Sequence, residues 1–119
     1  MENKIIEVEK VLGKCDEDGR WYDITFDKAQ ELLKLELLPL LLENDRGSTH
    51  QMIMDLLKKH PVLRATGTIS TGNGAILDGF DVNGTPYFEP ETIRDFFEFA
   101  MQYSDDFAVA PSHLFMWFD

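Results

Sequence analysis

The sequence pattern changes at Pro61, and this change constrains the fold more than any other feature. The residues before Pro61 include leucine-rich segments with helix-start signals, whereas Val62 to Thr71 is β-branched and rich in threonine. Both patterns in one chain predict an α+β domain with a mainly antiparallel sheet and about three helices. A length of 119 residues with 44% hydrophobic content is enough for one core, so residues 1–119 are expected to form a single domain.

Capping and breaking signals place the first two predicted helices. Asp27 is expected to cap a helix that runs through a leucine-rich segment toward Glu43. Pro39 interrupts this segment, so a kink or a break is expected there. A second capping signal, Ser48 with Gln51, predicts a helix over residues 49–60, which Pro61 ends.

A third helix is expected to begin at Pro90, since proline is favoured in the first helical turn. The apolar residues after it recur at helical spacing and therefore predict a stripe that faces the core. The stripe residues are Ile93, Phe96, Phe97, Ala100 and Met101. The other side of this helix carries Asp95, Glu98 and Gln102, which are expected to face solvent.

The N-terminal segment, from Lys4 to Phe26, is predicted to form a β-hairpin. Residues 16–19 supply its turn, in which Gly19 can adopt positive φ, and residues 21–26 alternate as the second strand. A helix over residues 4–12 stays open as the alternative, because the apolar residues there also recur at helical spacing.

Further strands are predicted after Pro61. Residues 62–71, 75–82 and 85–88 form a predicted three-stranded meander, with Asn83-Gly84 as the strongest hairpin signal in the sequence. Its last strand is expected at an edge, because Pro86 cannot donate a hydrogen bond to a neighbouring strand. The tail from His113 is apolar on both sides, which predicts either a central strand or an interface strand.

The charge of the chain excludes several classes of partner. The net charge is −11, with a pI near 4.5, and no lysine follows Lys59. Such an acidic chain is not expected to bind nucleic acid directly or to dock on an anionic membrane. The N-terminus lacks a signal-peptide pattern, and Cys15 is the single cysteine, so a cytoplasmic protein is predicted.

The sequence offers only incomplete catalytic and metal-binding motifs. Cys15 lies beside acidic residues, which disfavour the reactive thiolate. His50 and His60 would lie on nearly opposite sides of one helix, the wrong arrangement for a metal-binding pair. The glycine-rich residues 67–74 lack the Lys-Ser/Thr of a phosphate-binding loop, and residues 79–90 lack the end ligands of a calcium loop. No catalytic residue, metal site or cofactor is therefore predicted.

The second half of the chain combines acidic residues with large aromatic ones. This combination predicts a non-enzymatic protein that neutralises a basic protein partner by occluding it, through charge steering and aromatic anchors. The partner would be a nuclease-type toxin, which would make the chain an immunity protein, or a nucleic-acid-binding machine that the chain inhibits. The residues predicted to bind this partner are Asp78, Asp81, Tyr87, Glu89, Glu91, Asp95, Glu98, Tyr103, Asp105, Asp106 and Trp117.

Two alternative functions stay open at this point. A small-molecule-binding or enzymatic domain would bring polar groups of the threonine-rich meander together in one cleft, for instance Thr66, Thr68, Ser70 and His113. A structural subunit of an oligomer would bury the leucine-rich residues 32–42 or the terminal strand between protomers. The sequence leaves the strand order and the oligomeric state open.

Overall fold

A computed structural model describes residues 2–70, 72, 74–84 and 88–118 of the chain. In chain order its elements are α1 (Glu2–Leu12), β1 (Arg20–Ile24), α2 (Phe26–Lys34), α3 (His50–Lys59), β2 (Ala65–Ser70), β3 (Gly74–Asn83), α4 (Pro90–Tyr103), β4 (Asp106–Ala110) and β5 (His113–Trp117). The predicted α+β class is confirmed. Most of the strand predicted over residues 85–88 lies outside the described residues, and Phe88 itself is not in a strand.

The strands form one antiparallel sheet in the order β1-β2-β3-β5-β4. Strand register assigns alternate residues to its two faces. One face, which we call the core face, carries a row of apolar residues that crosses the whole sheet. The row consists of Ile24, Ala65, Phe80, Met116 and Phe107. The prediction of a central terminal strand is confirmed, because β5 lies between β3 and β4.

All four helices contribute to the apolar core on the core face. Their most buried side chains include Val8 of α1, Leu32 of α2, Leu57 of α3 and Phe96 of α4. The other face of the sheet, which we call the open face, carries exposed residues such as Tyr22. The domain is therefore a two-layer arrangement whose open face none of these helices covers.

The hairpin predicted for the N-terminal segment is wrong, and the alternative helix is right. Residues 2–12 form α1, Val8 is fully buried, and β1 pairs with β2. Gly13 ends α1 in a left-handed conformation (φ +84°), and its carbonyl accepts a hydrogen bond from the Trp21 indole at 2.8 Å. The apolar residues of α1 fit both periods, so packing against the rest of the fold decides the structure.

The helix predicted to run toward Glu43 is also wrong in extent, since α2 ends at Lys34. The backbone N–H of Leu37 donates to the Leu32 carbonyl at 2.8 Å, and Glu36 has positive φ (+59°). This is a Schellman-type ending that turns the chain before Pro39. The N-cap is Thr25, whose hydroxyl accepts from a backbone N–H, and the predicted cap at Asp27 lies inside the helix.

The segment between α2 and α3 is held in the core by a histidine. His50 is buried, and its Nε2 accepts a hydrogen bond from the Leu77 backbone N–H at 2.9 Å. Nδ1 therefore carries the proton of the neutral ring and donates to the Pro39 carbonyl at 2.6 Å. Burial is the main influence on the His50 pKa and lowers it from 6.5. The side chain thus joins the leucine-rich segment to β3.

The last two predicted helices are confirmed as α3 and α4, but the predicted apolar stripe of α4 is only partly buried. Phe97 is 43% exposed and Met101 is 58% exposed, whereas Thr92, Phe96 and Ala100 are buried. The apolar surface of α4 is thus wider than the core it faces. No helix among the described residues is long and apolar enough to span a membrane.

Candidate functional site

The structure places nine of the predicted binding residues in two groups and Asp105 between them. Tyr87 lies outside the described residues. The first group is on α4 or at its start and comprises Glu89, Glu91, Asp95, Glu98 and Tyr103. The second is on strands of the sheet and comprises Asp78, Asp81, Asp106 and Trp117. Asp105 lies between α4 and β4. They therefore do not form one continuous surface.

Three of the predicted residues meet in a groove between α3 and α4, which we call the α3–α4 groove. Its volume is about 350 Å³. The groove is lined by Met52, Asp55, Leu56, Lys59, Asp95, Glu98, Phe99, Gln102 and Tyr103. Among these, Asp95, Glu98 and Tyr103 were predicted. Three carboxylates and one lysine give the groove a negative charge at neutral pH.

An ionic network centred on Asp95 lies along the groove and joins α4 to the end of α3. Its Oδ2 lies 2.8 Å from Lys59 Nζ and 2.8 Å from His60 Nε2. The other ring nitrogen of His60, Nδ1, is hydrogen-bonded to the Thr92 hydroxyl at 2.9 Å. Hydrogen bonds from Lys59 and then His60 lower the pKa of Asp95 from 3.8 to about 2. The Asp95 carboxylate is therefore ionised throughout the neutral range.

The same network also pairs Lys59, the cation among the groove residues, with carboxylates. The hydrogen bond to Asp95 is the largest influence on Lys59 and raises its pKa. Lys59 also lies 3.7 Å from Glu91, so two carboxylates neutralise one ammonium group. Because Lys59 is already paired with two acids, it offsets little of the negative charge of the other groove acids, Asp55 and Glu98.

The rim of the groove carries two further carboxylates, Asp55 on α3 and Glu98 on α4. Asp55 accepts a hydrogen bond from the Gln51 amide at 2.9 Å, and Glu98 is exposed. Within the part of the chain that the structure describes, neither acid forms an ion pair. Next to them, the rings of Phe99 and Tyr103 lie 4.9 Å apart. The groove therefore combines unpaired carboxylates with an aromatic surface.

On the open face of the sheet, the Asp78 carboxylate accepts hydrogen bonds from other residues of the sheet. Arg20 Nη1 donates to Asp78 Oδ2 at 2.7 Å and Nη2 donates to Oδ1 at 3.2 Å. The Thr66 hydroxyl donates to the same Oδ1 at 2.7 Å. The Arg20 guanidinium lies 4.7 Å from the Trp117 ring centroid. Asp78 and Trp117 thus share Arg20, and this buried carboxylate has no free charge to offer a partner.

The remaining predicted acids have separate surroundings. Asp81 Oδ1 lies 2.8 Å from His113 Nε2, and Asp105 pairs with Arg46 at 3.3 Å. Asp106 is exposed on β4, opposite Trp117. Glu89 caps α4 without a side-chain hydrogen bond. Glu89 and Glu91 also line a cavity of about 780 Å³ at the start of α4, which shares Lys59 with the α3–α4 groove.

The structure does not bring together the polar groups of the alternative ligand-binding hypothesis. The Thr66 hydroxyl is bonded to Asp78, and the Thr68 hydroxyl donates to the Gly19 carbonyl at 3.2 Å. Ser70 and His113 lie at opposite ends of β3, according to the strand register. Within residues 2–70, 72, 74–84 and 88–118, no group of three or more His, Cys, Asp or Glu side chains could hold a metal ion.

Sequence reasoning missed six of the nine residues that line the α3–α4 groove, among them Asp55, Phe99 and Gln102. Met52, Asp55 and Lys59 have the i, i+3, i+7 spacing of one helix side, and this signal could locate the wall formed by α3. The pairing of α3 with α4 depends on tertiary structure and has no local signal. No family model, curated protein or solved structure shows significant similarity to this chain.

Proposed function

We propose that this chain is a non-enzymatic acidic binding protein and that the α3–α4 groove receives basic side chains of a protein partner. The observation that carries the proposal is the coexistence of unpaired carboxylates, Asp55 and Glu98, with the adjacent Phe99 and Tyr103 rings. Negative charge alone would provide only solubility. Charge beside an aromatic surface also provides a desolvated contact for a partner.

Arginine and lysine side chains match this groove chemically. Their aliphatic stems can pack on the rings of Phe99 and Tyr103, while their charged heads reach the carboxylates at the rim. Arginine fits better than lysine, because its planar guanidinium stacks on rings and binds carboxylates through two hydrogen bonds. A partner rich in surface arginine is therefore favoured.

The net charge of −11 supports an effect on association rate. An acidic surface accelerates encounter with a basic partner by about 10-fold to 1,000-fold at low salt. Binding would block the basic surface of the partner by steric and electrostatic occlusion, with no bond made or broken. A nuclease-type toxin or another nucleic-acid-binding protein has a basic surface of this kind, because it must bind phosphates.

The test is an affinity capture from cells of the source organism with a charge-matched control. The groove variant is Asp55→Lys with Glu98→Lys, and the control is Glu17→Lys with Asp18→Lys, which changes exposed residues near β1. Both variants have the same net charge. We expect wild type and control to retain one basic protein at near-stoichiometric yield and the groove variant to lose it.

The salt dependence of the captured complex provides a second criterion. Its affinity, measured by calorimetry with the purified partner, should fall by at least about 10-fold between 0.05 M and 0.5 M salt, because the Debye length shortens. Equal loss of the partner in both charge variants would show that net charge alone acts, and would contradict the role of the groove. An affinity that does not change with salt would contradict the electrostatic mechanism.

A further inference from the structure

The free edge of the sheet at β4 lies beside exposed apolar residues of α4. Among the residues that the structure describes, β4 pairs with β5 on one side and no strand pairs with its other side. Its sequence, Asp106-Phe107-Ala108-Val109-Ala110, contains no lysine or proline, the residues that commonly protect edge strands from pairing. An edge without these residues is suited to pairing with a further strand.

The apolar residues beside this edge come from the outer side of α4. Ile93, Phe97 and Met101 recur every fourth residue, and Phe97 is 43% exposed. The Phe97 ring contacts that of Phe107 on β4, with centroids 5.9 Å apart. A cavity of about 520 Å³ lies at this junction, and its lining includes Val109 and Arg94. We call Ile93, Arg94, Phe97, Met101 and strand β4 the β4 edge surface.

We propose that the β4 edge surface binds a second copy of this chain, so that two β4 strands pair antiparallel about a two-fold axis at Ala108. This register is complementary to itself. On the core face, Phe107 lies opposite Val109 of the second copy, which is a favourable pair of an aromatic and a β-branched residue. On the open face, Asp106 lies opposite Ala110 of the second copy, so no like charges face each other. The ten strands would form one continuous sheet.

The helices obey the same symmetry. The two-fold axis places α4 antiparallel to its copy. Phe97 contacts Phe107 and Ile93 lines the cavity with Val109, so an axis at Ala108 passes midway between them and Ile93 lies opposite Phe97 of the other chain. Arg94 then lies about 3 Å along the helix axis from Glu98 of the other chain, because each residue rises about 1.5 Å. Two Arg94–Glu98 pairs would form. Arg94 also lies 3.9 Å from Glu91 and 3.7 Å from Asp95 of its own chain, so the Glu98 carboxylate of the second copy would join an existing ion-pair cluster. The occupant that this charge complementarity favours is a second copy.

The small size of the surface determines how stable the dimer can be. It consists of one five-residue strand and about two turns of helix. A stable complex buries roughly 800 Å² on each partner, which takes about 20 to 30 residues a side. Each chain also carries a net charge of −11, which opposes association at low salt. We therefore expect a reversible dimer that added salt strengthens, opposite to the salt effect expected for the basic partner.

Sedimentation equilibrium of the full chain tests this dimer. In about 0.3 M salt, the mass should rise from 13.7 kDa toward twice that value as the concentration increases from about 1 µM to about 500 µM. Phe97→Glu should remain a monomer. Val62→Glu adds the same charge at an exposed residue outside this surface and should dimerise like wild type. A wild-type monomer at every concentration, or a dimer unaffected by Phe97→Glu, would overturn the proposal.

Charge exchange tests the two-fold symmetry without relying on a disruptive variant. Arg94→Glu and Glu98→Arg should each dimerise at least about 10-fold more weakly, since each places like charges across the axis. An equimolar mixture of the two variants restores both pairs and should recover the dimer. A mixture that associates no better than its components would contradict the antiparallel arrangement of α4. The outcome is independent of the proposed basic partner, because only this chain is present.

Discussion

The molecule contains two polar networks in which a cation and a hydroxyl-bearing residue help to hold an aspartate, and their surroundings differ. Asp78, on the open face of the sheet, is bound by Arg20 and Thr66, and its side chain is 6% exposed. Asp95, between α3 and α4, is bound by Lys59 and by His60, which Thr92 orients, and its side chain is 16% exposed. Lys59 is 58% exposed, whereas Arg20 is 19% exposed.

The two networks show that the presence of an aspartate in the sequence does not tell how much charge it contributes to the surface. Asp78 stabilises the sheet by joining β1, β2 and β3, and removal of its carboxylate would leave Arg20 without its partner in a poorly solvated place. Asp95 joins two helices but stays at the wall of a groove, where water and Lys59 both reach it. The two networks should therefore differ in their effect on stability and in their response to pH.

The largest effect is expected for Asp78→Ala. This change leaves the Arg20 guanidinium and the Thr66 hydroxyl without their common acceptor, and it should lower the free energy of unfolding by about 3 kcal/mol. Urea unfolding followed by Trp fluorescence measures this loss. Asp81→Ala, which removes a carboxylate on the same strand at 44% exposure, is the control and should cost less than about 1 kcal/mol. Equal losses would show that the buried network around Asp78 contributes no more to stability than an exposed carboxylate does.

A moderate effect is expected for Asp95→Asn. The amide keeps the shape of the side chain but weakens its hydrogen bonds to Lys59 and His60, so unfolding should become easier by about 1 kcal/mol at pH 7. Thermal unfolding of the two proteins at one salt concentration measures the difference. A larger loss than that of Asp78→Ala would reverse the order that burial predicts.

The pH dependence of the Asp95→Asn effect follows from the lowered pKa of Asp95. A folded pKa of about 2, below the ordinary 3.8, means that the carboxylate stabilises the fold fully above the unfolded value. This stabilisation is lost as the pH falls from about 5 toward the folded pKa. The difference in stability between wild type and Asp95→Asn should therefore shrink over this range. A constant difference down to pH 2 would contradict the assigned interactions.

Much of the fold could be predicted from local sequence signals. Pro61 after α3 and Pro90 at the start of α4 determine helix ends by short-range chemistry, and the structure has these helices where they were expected. The cap of α3 is Thr49, one residue after the predicted Ser48. Alternation and turn signals also located β2, β3 and β5. By contrast, the apolar residues of α1 fit two periods, so only contact with β3 and α2 selects the helix.

The organisation of the candidate site could not be predicted, because it depends on contacts between distant residues. Arg20 and Asp78 are 58 residues apart, and His60 and Asp95 are 35 residues apart. The strand order also places β5 between β3 and β4, which no local pattern determines. An acidic helix side on α4 could be seen in the sequence. The identity of the opposite wall, and hence which carboxylates remain unpaired, required the tertiary structure.

The smallest effect on stability is expected for Lys59→Met, which removes one of the two hydrogen-bond donors to Asp95. Because Lys59 is exposed and water screens its ion pairs with Asp95 and Glu91, their loss should lower the free energy of unfolding at neutral pH by less than Asp95→Asn does. The hydrogen bond from Lys59 is nevertheless the largest cause of the lowered Asp95 pKa. The pKa of Asp95 should therefore rise from about 2 toward 3.8, although His60 still donates to the carboxylate. Measurement of the carboxyl carbon shift by NMR titration reports this change directly.

The control for this last variant is Lys58→Met, which removes an exposed lysine from the same helix turn and should leave the Asp95 pKa unchanged. An unchanged pKa in Lys59→Met would mean that His60 alone holds the carboxylate, and the network would then resemble the buried one around Asp78. A raised pKa together with a loss of stability at pH 7 that disappears near pH 2 would show that the Lys59 ion pair stabilises the ionised form of Asp95. In that case the Asp95 network stabilises the fold only where this carboxylate is charged, whereas the Asp78 network is buried within the sheet.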